Sequence, residues 1–149
     1  MTDLDDIYNS RILELAAHIS RNGRLPAPDA TASARSKLCG SEMTVDLAVT
    51  PGGRISDYAH EVKACLLGQA AASVMAREIT GSTASELRDL RTSMHGMLKE
   101  GGPPPAGRWA DLAVLQPVRE YRMRHDAVML PFDAVCAALD QIAAKANVA

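Results

Sequence analysis

Residues 39–75 read CGSEMTVDLAVTPGGRISDYAHEVKACLLGQAAASVM, and this stretch decides the fold. Met43, Val45, Leu47 and Val49 alternate with Thr44, Asp46, Ala48 and Thr50, the two-residue period of a strand with one buried face. Pro51, Gly52 and Gly53 supply a turn, and Ile55 to Val62 returns as a second strand, so the pair is predicted to be a β-hairpin. From Cys65 to about Ile79 the chain becomes rich in alanine, a helix whose small side chains let neighbours approach closely, and Gly81 ends it. Because a hairpin brings its two ends together, Cys39 and Cys65 are expected to face each other at one end of the sheet.

Outward on the N-terminal side, Leu4, Ile7, Tyr8, Ile12, Leu15, Ala16 and Ile19 keep helical spacing over residues 4 to 21, until Gly23 stops the pattern. Leu25 to Ser36 is rich in Pro, Ala, Ser and Thr and reads as an extended lead-in with room for a short edge strand. On the other side, Thr83 and Glu86 have the spacing of a capping box, and Leu87, Leu90, Met94, Met97 and Leu98 carry an amphipathic helix to Gly101. The run from Gly101 to Gly107 is a Gly/Pro loop. Trp109 to Leu115 is predicted to be a short helix and Val118 to Arg124 a charged connector. Ala127 to Ala146 forms a last apolar helix, with Pro131 placed in its first turn. This order predicts an α+β architecture, a small antiparallel β-sheet of two to three strands packed against several helices.

With 149 residues the chain has the length of one domain, and a single domain over 1–149 is expected. Aromatic residues are only 3%, so the core must be built from Ala, Leu, Val, Ile and Met. A formal charge of −2 with both signs mixed along the chain argues against a nucleic-acid face, which needs a clustered positive field. The acidic start, Thr2-Asp3-Leu4-Asp5-Asp6, lacks the basic and apolar regions of a signal peptide, and no stretch is expected to approach membrane-spanning length. A cytoplasmic protein, with neither nucleic acid nor membrane as partner, is the expectation.

Three cysteines in a chain of this kind point to free or metal-bound thiols rather than a disulfide framework. Gly40 lets the backbone turn sharply beside Cys39, and Cys65 stands at a helix N-terminus, whose dipole favours thiolate. Small buried apolar residues are the alternative reading of both. Cys136 shares a helical face with Phe132 and Leu139 and is read as a packed thiol. His60 is read as a packed or hydrogen-bonded strand residue, and His18 and His95 are given no role. No Ser/His/Asp order, phosphate loop or metalloprotease helix is present in the sequence, so a scaffold or carrier is expected rather than a catalyst.

The chain resembles the iron-sulfur cluster assembly scaffolds of the SufU, IscU and NifU N-terminal type along nearly its whole length. The resemblance is carried by Cys39-Gly40-Ser41-Glu42-Met43, by Ile55 through Cys65 to Met75, and by Leu115-Gln116-Pro117-Val118 with Arg124 to Val135. It implies a site that holds zinc or a transient iron-sulfur cluster with three cysteines and an aspartate, accepts sulfur from a cysteine desulfurase and serves recipient iron-sulfur apoproteins. Cys39 matches the first cysteine and Cys65 the second. Ser41 stands at the aspartate's position and Ala127 at the third cysteine's, so the ligand set is degenerate. Asp126, His125, Glu42 and the Ser41 hydroxyl are the nearby candidates to complete it, and the expected metal set is Cys39, Cys65, Asp126 and Ser41. The implied function is a scaffold or sulfur acceptor, as monomer or homodimer. The alternatives are a metal-free homologue retained as a binding or regulatory protein, and a two-thiol switch between Cys39 and Cys65.

Overall fold

The computed structural model describes residues 8–148. In chain order it contains helix α1 (Ser10–Ala17), strands β1 (Ala30–Arg35), β2 (Glu42–Val49) and β3 (Ile55–Lys63), then helices α2 (Leu66–Glu78) and α3 (Ala84–Lys99). A 3₁₀ helix (Gly107–Glu120), a 3₁₀ turn (Arg122–Arg124) and helix α4 (His125–Val148) follow. The fold is α+β, as expected. The part of the predicted first helix that includes Leu4 and Ile7 lies outside the described residues.

The strands form an antiparallel sheet in the order β1-β2-β3. The lead-in does add an edge strand, pairing Ala30 with Leu47 through Arg35 with Glu42, while β3 pairs Lys63 with Glu42 and Val62 with Met43. Met43, Val45 and Leu47 point into the core as their alternation predicts. Asp46 does not reach solvent on the opposite face, for the segment before β1 folds over it. Its side chain is fully buried. Its carboxylate accepts bonds from Arg24 Nε at 2.8 Å, from the Leu25 amide at 2.9 Å and from Thr31 Oγ1 at 2.6 Å.

Helix α4 packs on β1, β2, α2 and α3 and is the hub of the core. It is long and apolar enough to cross a membrane by length and composition, which corrects the reading that no stretch reaches that length. Because 61% of its most apolar window is buried inside the protein, it is a core helix here. Since α4 begins at His125, Pro131 lies nearly two turns in rather than in the first turn. Proline has no N–H to give to the carbonyl of Ala127. That oxygen lies where α2 crosses most closely, and a Cβ added to Gly68 would sit 3.1 Å from it and 2.9 Å from the Ala64 Cβ.

The stretch 107–120 is not a short α-helix followed by a connector. Trp109, Leu112, Leu115 and Val118 are buried and recur every three residues, the period of a 3₁₀ helix, so one straight apolar edge is laid against α2 and α3. Thr83 caps α3 as predicted, its hydroxyl accepting the Glu86 amide at 3.2 Å, but the Glu86 carboxylate turns away to Arg108 at 2.8 Å.

Candidate functional site

Strand β1 passes to β2 through a tight loop. Its ends are closed by Ser36 N–H to Ser41 O at 2.8 Å and Gly40 N–H to Ser36 O at 2.9 Å, and Gly40 takes the left-handed conformation (φ 74°) that L side chains resist. Cys39 stands exposed on this loop, whereas the serines at its base, Ser36 and Ser41, are buried. Cys65 is the N-cap residue of α2, half-buried, two residues past the end of β3. Both cysteines therefore occupy the same end of the sheet.

One atom joins them. The Ser41 hydroxyl oxygen stands 3.1 Å from Cys39 Sγ and accepts the Cys65 backbone N–H at 3.3 Å. The Ser36 hydroxyl approaches the same sulfur at 3.3 Å. Partial burial opposes ionisation of Cys39. The bonds from Ser36 and Ser41, side chain and backbone, together with the positive field of Arg124, outweigh it and draw the thiol below its ordinary value.

Of the remaining candidates, Ala127 is fully buried at the α2–α4 crossing, beside the turn that carries Cys65. His125 is also buried: its Nε2 donates to the carbonyl oxygens of Val118 at 2.9 Å and Arg119 at 3.1 Å, and its Nδ1 accepts from Lys99 Nζ at 3.2 Å. Both ring nitrogens are thus used to tie the 3₁₀ helix and α3 to the start of α4. Asp126 is exposed in the first turn of α4 and Glu42 is exposed on β2. Among the described residues no three of His, Cys, Asp and Glu gather where one ion would bind them. A closed zinc or cluster site takes four ligands, and two thiolates with a serine hydroxyl do not fit that requirement from one chain.

His60 is a buried strand residue, its Nε2 donating to Ser20 O at 2.8 Å and its Nδ1 accepting from Tyr58 Oη at 3.2 Å. Cys136 packs between α4 and α3, with Sγ 3.9 Å from Leu87 O, and burial pushes its thiol upward. Sequence reasoning missed Ser36 and Arg124. The first was legible as a small polar residue three before Cys39, and the second lay unassigned in the charged connector. Large apolar side chains are exposed at neighbouring positions of the sequence: Leu38, Leu66 and Met123 are 58%, 37% and 64% exposed. Each adjoins Cys39, Cys65 or Arg124 in sequence.

Similarity to known proteins runs over the same framework. The chain is 54% identical to a nitrogen-fixing NifU-like protein (N-terminal) from Brucella abortus, whose crystal structure superposes with a TM-score of 0.93 over 95% of this chain and 98% of that one. A SUF-system iron-sulfur cluster assembly scaffold from Fervidobacterium islandicum shares the fold at 22% identity, TM-score 0.81, covering 92% of this chain and 99% of the other. The iron-sulfur cluster assembly scaffold protein IscU of Thermotoga maritima is 25% identical over 136 residues, 91% of this chain and 94% of that protein. The family model of the NifU-like N-terminal domain matches residues 7–128, and to that family the chain belongs.

Proposed function

We propose that this protein serves iron-sulfur cluster assembly as a sulfur-accepting scaffold whose working groups are Cys39 and Cys65. The observation that carries the reading is the Ser41 hydroxyl, which holds an exposed, ionisation-prone thiol beside the cap residue that bears the second. The names of its relatives, one an IscU and one a SUF-system scaffold, point the same way. Iron, zinc or a nascent cluster is cargo here, with Cys39 and Cys65 as this chain's donors and the rest of the shell supplied from outside it. A cysteine desulfurase is the proposed sulfur donor, reaching the exposed Cys39 on its loop. Recipient iron-sulfur apoproteins are the proposed acceptors, and the cytoplasm the proposed compartment.

Transfer of labelled sulfur from a cysteine desulfurase supplied with cysteine tests this. Label is expected on the wild type and on Cys136→Ala, and is lost from Cys39→Ser. Equal labelling of the Cys39→Ser/Cys65→Ser double variant would overturn the reading. The buried Ala127 and the serine at position 41 favour a second reading, a metal-free binding or regulatory homologue. It predicts that no sulfur is transferred and that zinc and iron contents are unchanged by Cys39→Ala.

A further inference from the structure

Among the described residues no third His, Cys, Asp or Glu gathers with the two thiols at this mouth, yet one hydroxyl links the sulfur of Cys39 to the backbone of Cys65. We propose that the pair works as a sulfide-releasing dithiol: sulfur accepted on Cys39 leaves as hydrosulfide when Cys65 closes a disulfide onto it. The inference rests on the proposed function, since it needs sulfur to reach Cys39.

Chemically the step is complete without another oxidant. A donor persulfide passes its outer sulfur to the Cys39 thiolate, leaving Cys39–S–SH and the donor's thiolate. The Cys65 thiolate then attacks Cys39 Sγ. The bond between Sγ and the outer sulfur breaks, its electron pair departs with that sulfur, and HS⁻ leaves carrying the persulfide proton. The sulfane sulfur is reduced by two electrons, and the two cysteine sulfurs are oxidised by one each as the Cys39–Cys65 bond forms. A dithiol reductant returns both thiols for the next turnover.

The geometry favours this route in two ways. The β2–β3 pairing ends at Glu42 and Lys63, two residues short of Cys65 and three short of Cys39, which stands on a loop that Gly40 allows to bend. At the positions where the family resemblance implies further metal ligands, this chain has Ser41 and the fully buried methyl of Ala127, neither of which competes for sulfur as a thiolate does.

The test is a single turnover under anaerobic conditions. The full chain is loaded by a cysteine desulfurase and cysteine, freed of enzyme and small thiols, and followed by sulfide assay and intact mass. In wild type the mass gain of one sulfur is expected to disappear as sulfide appears, leaving a disulfide. Peptide mapping should assign it to residues 39 and 65, and an unloaded sample should show none. Cys65→Ser and Cys65→Ala are expected to keep the persulfide with sulfide release lost. The mapped disulfide in wild type decides the matter even where a variant folds poorly. A wild-type persulfide as long-lived as that of Cys65→Ser overturns this inference and leaves the proposed function standing. If the desulfurase loads no sulfur at all, the proposed function falls. Loading Cys39 with glutathione persulfide then tests the release step by itself.

Discussion

Ser41 concentrates the difference between this chain and the ligand pattern its family resemblance implies. A carboxylate at that position would offer a ligand oxygen, whereas the hydroxyl oxygen accepts both the Cys65 amide and the Cys39 S–H, and its own proton turns to the sulfur when Cys39 ionises. Removing the hydroxyls should raise the Cys39 pKa. In Ser36→Ala and Ser41→Ala the pH profile of iodoacetamide labelling at Cys39 is expected to shift upward, with slower labelling at neutral pH. The profile of wild type should begin below that of an ordinary thiol near pH 8.5. Conversely, Ser41→Asp combined with Ala127→Cys restores three thiols and a carboxylate at the same end of the sheet. That double variant should retain zinc stoichiometrically through a chelator wash that strips the wild type, as elemental analysis would show. The cysteines and the two substituted positions could be read from the sequence, since they fall in short contiguous motifs. That the serine bridges the two thiol segments could not, because the bond joins residues 24 positions apart.

Where whole elements meet, the crossing of α2 and α4 controls the site, since Cys65 starts one helix and Ala127 lies near the start of the other. Gly68 makes the approach possible. Gly68→Ala would gain about 1 kcal/mol of helix propensity. Its new methyl would meet the Ala64 Cβ at 2.9 Å and the Ala127 carbonyl at 3.1 Å, neither of them the far end of a flexible side chain. Overpacking of this kind costs roughly 1–3 kcal/mol, so a net loss of stability is expected in urea unfolding, together with slower labelling of Cys65 if the crossing shifts. The strands and α-helices were legible because two-residue and near-four-residue periods are distinct. The 3₁₀ helix was misread although its signal is plain in retrospect. Trp109, Leu112, Leu115 and Val118 recur at intervals of three, and a short window of that spacing looks like an α-helix that stops early.

For the molecule as a whole, buried polar groups set the response to acid. His60 is held neutral, burial lowering its pKa against the opposing pull of the Ser20 carbonyl. Burial alone would raise Asp46, but its bonds from Arg24, Thr31 and the Leu25 amide hold it below the usual carboxylate range. Both folded values lie below the unfolded ones, so each group's stabilisation is full above its unfolded pKa and is lost as pH falls through its folded pKa. Thermal unfolding should therefore show one loss of stability beginning below about pH 6.5, from histidine, and a second below about pH 4, from Asp46. His125, also lowered by burial, shares the first loss, so His60→Gln should reduce it without removing it and lower stability at neutral pH by about 1–3 kcal/mol, through imperfect replacement of two buried hydrogen bonds.

By itself the sequence determined the α+β class, the hairpin, the Ala-rich helix and the placing of two thiols at one end of the sheet. These follow from side-chain period and from the chain reversal at Pro51-Gly52-Gly53, which act over a few residues. Only the tertiary structure decided that Asp46 is covered, that His125 is tied up by two carbonyls and a lysine, and that Ala127 is sealed into a helix crossing. Burial and hydrogen-bond pairing depend on which distant segment arrives on a given face, and no local pattern of residues encodes that arrival.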